Sequence, residues 1–388
     1  MTTVSSTSGA ESSPYYGESH AAWRATLRRW VQREIEPHVD AWERERAFPR
    51  ELYRKAAAIG LLGLGFPEAY GGTPGDTFAN VVASDELARP AAGGVAASLM
   101  SHTISLPPIV AAGSDELKAR VVPGVLRGEK LAALAVTEPA GGSDVARLQT
   151  TARRDGDAYV VNGSKVFITS GMRADYYTVA VRTGGPGLAG ISLLLLEGDM
   201  PGLTRTPIEK MGWHSSDTAT LYFDDVRVPV ANRIGDENAG FAALMRNFNG
   251  ERLGLASTAI ATAQVALDEA IAYARERETF GKRLVEHQVI RHKLVEMTRR
   301  VRAARAYRDL VAWRIEAGES PAADVAMLKV HATTLLEFCA REAAQILGGA
   351  SYQTGSKVER IYREVRVLAI GGGSEEVMRD LAARQLGL

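Results

Sequence analysis

Apolar positions change their period twice along the chain. From residue 18 to 130 they recur at helical spacing, and the stretch AAWRATLRRWVQREIEPHVDAWERE sets an apolar stripe among good helix formers. A loop, FPEAYGGTPGD, follows the second helical stretch. From 131 to 240 the period changes, and DAYVVNGSKVFIT, ISLLLLEG and TATLYFDDVRVP read as strands. Asn162-Gly163 between two apolar runs predicts a hairpin turn. This middle part is expected to be a small β domain.

From 241 to 388 helical spacing returns. Leu253, Ala256, Ile260, Leu267 and Ile271 share one face. Ile290, Leu294, Met297, Val301, Ala304 and Val311 share the next. Val325, Leu328, Ala332, Leu335 and Ile346 mark a third. Three long amphipathic helices and a short C-terminal one predict an antiparallel bundle. Residues 1–17, MTTVSSTSGAESSPYYG, read as a flexible tail with no basic start or apolar stretch of a secretion signal.

Composition narrows the function classes. The 388 residues are 46% apolar and 24% charged, ordinary for a soluble multidomain protein. Lys plus Arg is 46 and Asp plus Glu is 46, which argues against a dedicated nucleic-acid binder. Cys339 is the sole cysteine, so no internal disulfide or cysteine-based zinc site is available. A reducing compartment, the cytoplasm, is expected. No apolar run reaches 18 residues, so no membrane span is expected.

Several short motifs carry candidate chemistry, each with a bland alternative. Gly185-Pro-Gly187-Leu-Ala-Gly190 matches a dinucleotide fingerprint, but a strand-like run follows it where a helix is required, so it reads as a hairpin loop. LAVTEPAGGSDVA, 134–146, offers backbone N–H groups and small hydroxyls to an anion or a heterocycle edge. A helix cap by Ser143 or Asp144 is the alternative. In NGSKVFITSG, 162–171, strand alternation puts Phe167 and Thr169 on one face, as a flat cofactor or an ordinary half-buried strand would have it. In RERETFGKRLVEHQ, 275–288, Arg277 near the break at Gly281 suits a diphosphate or a solvated charge run. QILGGASY, 345–352, ends a helix on a glycine pair, which a plain C-cap also explains.

Order and spacing make these motifs specific together. AVTEPAGGSD, GSKVFIT, RERETFGK with EHQ, and QILGGASY with RIYREVRVLAIGGGSEEVM resemble the acyl-CoA dehydrogenase family of flavoproteins, over residues 20–388. The resemblance implies an α+β multidomain fold: an N-terminal helical domain (18–130), a middle β-barrel-like domain (131–240) and a C-terminal four-helix bundle (241–388). It also implies FAD, an acyl-CoA substrate, a homotetramer and electron-transferring flavoprotein as oxidant. By matching positions, Leu134, Val136, Thr137, Gly142 and Ser143 line the isoalloxazine, with Ser143 also near the substrate. Phe167, where Trp is more usual, and Thr169 take its other edge. Arg277, Thr279, Phe280, His287, Gln288, Gln345, Gly348 and Gly349 match positions that contact FAD from a neighbouring subunit. Ser374 and Glu376 match positions near its dinucleotide portion.

The reaction this implies removes an α-proton from a thioester while a β-hydride goes to flavin N5. It needs an aligned base and stabilisation of enolate-like charge. Many members carry the base as a Glu in the loop matching IGGGS, where this chain has Gly372. Glu375 and Glu376 follow Ser374, a cap, and suit the first turn of a helix. A subgroup with isovaleryl-CoA and long-chain acyl-CoA dehydrogenases places its base in a Glu-Arg pair at the start of a C-terminal-domain helix. Glu251-Arg252 in FNGERLGLASTAI matches that pair. The alternative is an acid placed by a helix N-terminus. Glu251 is then the base, the Gly372 N–H polarises the thioester carbonyl, Arg252 lies near the CoA end, and Asn249 replaces an Asp. The acyl cavity is expected along LMSHTISLPPIV, 99–110. An acyl-CoA oxidase, a flavin monooxygenase and a catalytically silent thioester-binding protein are competing readings.

Overall fold

The computed structural model describes residues 13–388, with the side chains of Arg246 and Asn247 also outside the description. Of the expected flexible tail, residues 1–12 therefore lie outside the described residues. Within the remainder, Tyr15 stacks on Phe78 and Tyr16 meets the same ring edge-on. The Tyr16 hydroxyl donates to Asp309 at 2.8 Å, so this stretch is packed rather than loose.

The N-terminal part is helical: α1 Glu18–Glu34, α2 Val39–Glu45, α3 Glu51–Ala58, α4 Thr77–Ala88, α5 Gly93–Leu99, α6 His102–Ser105, α7 Pro107–Ala112 and α8 Asp115–Leu126. Side-chain caps set two starts. Asp76 accepts from the Ala79 N–H at α4, and Ser114 from the Leu117 N–H at α8.

The middle part is one sheet built from β1 Ala132–Ala135, β2 Thr151–Asp155, β3 Ala158–Ile168, β4 Tyr176–Arg182, β5 Ile191–Glu197, β6 Leu203–Pro207, β7 Ala219–Pro229 and β8 Arg233–Ile234. Its order is β6-β7-β3-β2-β4-β5-β8, with β1 beside β4, and its end strands do not pair with each other. The apolar run of β5 is explained by burial on both faces. Leu193 and Leu195 belong to one apolar cluster with residues of α8 and Leu244, while Leu194 and Leu196 belong to another with Tyr159 and Val161.

Asn162-Gly163 is not a turn. It lies inside β3, where the register with β7 shifts. Gly163 has φ +140, and a Cβ there would lie 2.8 Å from the Thr150 Cα. The two residues mark a bulge that the sequence signal cannot tell from a hairpin. The hairpin turn is at Gly156-Asp157, between β2 and β3.

The C-terminal part holds α9 Gly240–Glu276, α10 Gln288–Glu316, α11 Ala322–Leu347, α12 Lys357–Ile370 and α13 Glu375–Leu386, with a small hairpin of β9 Glu278–Thr279 and β10 Lys282–Arg283 after α9. The expected single short helix is two, divided at the glycine loop. Ser374 caps the second by accepting from the Val377 N–H. The helices share a core in which Ala256, Ala263, Met297, Leu328 and Cys339 are buried, and Phe78 of α4 joins it. Among the described residues no single helix is long and apolar enough to cross a membrane.

Candidate active site

Glu251 lies eleven residues inside α9, counted from Gly240. The alternative of an acid placed by a helix N-terminus therefore fails, because that effect is confined to the first turn. The same bound corrects the expectation that the Glu-Arg pair opens its helix. No hydrogen bond or ion pair among the described residues holds the Glu251 carboxylate. Burial raises its pKa, and Arg252 and Lys329 pull it back in part. A carboxylate that is partly desolvated and has no such partner is costly to the fold, which makes Glu251 a candidate for a working group.

Gly372 lies beside Glu251, with Leu255 Cδ1 nearer still. A Cβ on Gly372 would lie 3.7 Å from Glu251 Oε1. The loop enters after α12 and turns through φ +69 at Gly372 and +110 at Gly373, conformations that suit glycine. The Gly372 N–H has no acceptor among the described residues. Its carbonyl accepts from Arg252 Nε at 3.3 Å. Arg252 is buried, with its guanidinium 5.1 Å from the Phe248 ring centre. Asn249 turns elsewhere and donates to Ser320 Oγ at 3.3 Å.

A second cluster surrounds the loop after β1. Leu134, Val136 and Thr137 are half-buried, and Gly142 and Ser143 are exposed. The turn Val145–Arg147 starts after Asp144 with no side-chain cap, so the capping alternative is not realised. Phe167 is 65% exposed and left-handed at φ +61, at a register shift between Lys165 and Ile168. The expected strand alternation to Thr169 is thus broken by a bulge. Phe167 is exposed and Thr169 half-buried on either side of buried Ile168 in the sequence. The hydroxyls of Thr137, Ser143 and Thr169 make no hydrogen bond among the described residues.

A third group is displayed outward. Phe280 tips the β9–β10 hairpin at φ +52 and is 95% exposed, with Arg277 and Gln288 exposed beside it. His287 sits 3.3 Å from Thr279 Oγ1 and edge-on to Phe280. Gln345, Gly348 and Gly349 are exposed at the end of α11, where a Cβ on either glycine would meet nothing within 4 Å. Glu375 is the first residue of α13, the helix-start position expected for it, and it pairs with Arg379 at 3.0 Å. Glu376 is exposed, and its pKa is lowered by the backbone N–H and Ser374 at the cap.

Models of the acyl-CoA dehydrogenase N-terminal, middle and C-terminal domains match residues 17–129, 133–226 and 238–387. The chain belongs to the acyl-CoA dehydrogenase family. A long-chain specific acyl-CoA dehydrogenase of Sus scrofa is 34% identical over 375 residues, covering 96% of this chain and 87% of the relative. The crystal structure of a putative acyl-CoA dehydrogenase from Mycobacterium smegmatis superposes with a TM-score of 0.95 at 47% identity, over 97% of this chain and 99% of that one. A glutaryl-CoA dehydrogenase of the same organism, in complex with FADH2, superposes at 0.91 with 26% identity over 97% and 96%.

This acyl-CoA dehydrogenase is an oxidoreductase with FAD as cofactor, and it dehydrogenates acyl-CoA. Its residues fit that cofactor. An exposed aromatic ring in a bulge, next to hydroxyls with no internal partner, suits a flat ring with a polar edge. The exposed Phe280 and Arg277 suit the dinucleotide part.

Two lysines escaped the sequence reading. Lys165 has no exposed surface, donates to the Val136 carbonyl at 3.1 Å and pairs with Glu138 Oε1 at 2.8 Å. Glu138 also accepts from the Gln149 and Thr150 N–H groups. Burial opposes its charge, yet Lys165 and these donors hold it below the usual carboxylate range. Lys329 has no exposed surface and reaches the carbonyls of Gly373 and Ala369 at 2.5 and 3.4 Å. The available signal was a lysine on the apolar stripe of Val325, Leu328 and Ala332.

Proposed function

We propose that the enzyme oxidises an acyl-CoA thioester to the trans-2-enoyl-CoA, with Glu251 as the base that takes the α-proton. The supporting observation is the half-buried carboxylate, unpaired among the described residues, whose Oε1 lies 3.7 Å from the Cβ position of side-chain-free Gly372. Bound FAD supplies the hydride acceptor. The free Gly372 N–H donates to the thioester carbonyl, an interaction worth about 3–4 kcal/mol as enolate charge grows. Arg252 keeps the turn in place through the Gly372 carbonyl rather than reaching for the CoA end. The acyl chain runs along the half-buried face of Met100, Ile104 and Pro107, since Leu99, Leu106 and Ile109 are sealed in the core.

Leu134, Val136, Thr137, Gly142, Ser143, Phe167 and Thr169 hold the flavin ring. Phe280, Arg277, Thr279, His287, Gln288, Gln345, Gly348 and Gly349 serve the FAD of a neighbouring protomer in a homotetramer, and the exposure of all but Thr279 and His287 favours this. Ser374 and Glu376 lie toward the dinucleotide end. Electron-transferring flavoprotein is the proposed oxidant and the cytoplasm the proposed compartment.

Glu251→Gln tests the reading. Anaerobic bleaching of the flavin by substrate is expected to slow by about 10²–10⁴-fold with FAD content unchanged. In the native enzyme the acid limb of kcat/KM is expected above 4.5, the ordinary Glu value, because the base must be ionised and burial opposes ionisation. Bleaching at the native rate in Glu251→Gln removes Glu251 from the mechanism.

A further inference from the structure

Lys329 projects from α11 beneath the loop that carries Gly372. Its ammonium donates to the Gly373 carbonyl at 2.5 Å and reaches the Ala369 carbonyl at 3.4 Å. The two carbonyls bracket Gly372. From α9, Arg252 holds the carbonyl between them. Two cations on two helices thus tie down a turn with two successive positive-φ residues.

A carboxylate within ion-pair distance would be the ordinary partner for a fully buried lysine, and among the described residues there is none. Burying an ammonium against carbonyls alone is unfavourable, and a neutral donor would hold the same carbonyls with less desolvation. The charge therefore calls for a further reason. The charged groups that act on Lys329 are Glu375, Arg252 and Glu251, and those that act on Glu251 are Arg252 and Lys329.

We propose that Lys329 is a positioning residue for the reaction, fixing the turn that presents the Gly372 N–H and keeping Glu251 ionised with its charge. This rests on Glu251 being the base. Burial lowers the lysine itself to about 8, so at neutral pH it is still mostly protonated. Above that it loses its charge, and its grip on the two carbonyls weakens.

The test is the pH profile of kcat/KM with an artificial electron acceptor. The probe is the fastest substrate of a panel from butyryl-CoA to palmitoyl-CoA with isovaleryl-CoA, and FAD content and thermal unfolding are followed in parallel. Lys329→Gln keeps a donor and removes the charge. It is expected to retain FAD while its acid limb moves up by about half a pH unit or more. Lys329→Arg, which stays charged, is expected to return the acid limb to its native position and to lack the native decline above pH about 8.

A native acid limb in a folded Lys329→Gln enzyme overturns the proposal. Should Lys329→Gln not fold, the arginine variant decides, and an alkaline decline unchanged from native overturns it. Glu251→Gln is measured alongside. Full activity there removes the base assignment, whereas a native profile in Lys329→Gln beside an inactive Glu251→Gln removes only the role of Lys329.

Discussion

Leu255 and Gly372 share one volume: a Cβ on Gly372 would overlap Leu255 Cδ1, one helical turn beyond Glu251. The room left by the missing side chain is thus filled first by a leucine and only then bordered by the carboxylate. Gly372→Ala is expected to destabilise the fold by roughly 1–2 kcal/mol, part steric and part from a φ of +69. Adding Leu255→Ala should recover the steric part alone. Urea unfolding of both single variants and the double variant measures this, and simple additivity would show that the two residues do not compete for space.

Lys165 and Glu138 form the buried anchor of the loop after β1. Lys165→Met strands a carboxylate that has 6% of its surface exposed. A loss of about 3–5 kcal/mol is expected. FAD retention should fall with it, because the Val136 carbonyl loses its tie. Denaturant midpoints and the ratio of flavin to protein absorbance check the two effects. Unchanged FAD content in a folded variant would separate the anchor from the cofactor loop.

Glu364 of α12 joins the three parts of the chain. It accepts from the N–H of Gly93 at 3.1 Å and of Trp213 at 3.2 Å. Burial, aided by Glu43, pushes its pKa up to about 8 from 4.5. The folded state thus holds a proton that the unfolded chain gives up. This contribution to stability is complete below pH 4.5 and is lost as pH rises through about 8. Glu364→Gln is expected to flatten the decline of melting temperature across that window, whatever its offset at low pH. A parallel decline in the variant would assign the pH dependence elsewhere.

Phe280 is 95% exposed, so its removal should leave the protomer's stability within about 0.5 kcal/mol. If the hairpin serves a neighbour's FAD, Phe280→Ser should release cofactor on gel filtration and reduce assembly together. Full FAD content in a wholly dissociated protein would break that link.

The fold was legible wherever burial imposes a period. The long stripes of α9, α10 and α11 follow from one apolar face each, and the change to shorter runs at 131 located the sheet. Local backbone exceptions were not legible. Asn162-Gly163 carries the strongest hairpin dipeptide, yet its partners across β7, Asp225 and Phe223, make it a bulge. Glu251 was reached through resemblance, because nothing in its spacing distinguishes a base from a surface acid. Lys165 and Lys329 were missed because a lysine in an apolar pattern reads as noise until its carbonyl partners, far away in sequence, are known.

Cys339 has no exposed surface, and burial pushes its thiol up to about 12. Being unique, it turns the native chain into its own opening gauge: a thiol reagent can modify this protein at one atom, and only after α11 parts from its neighbours. Mass spectrometry of untagged, unmutated enzyme then times the loosening of the helices that carry both Lys329 and the end of the cofactor surface.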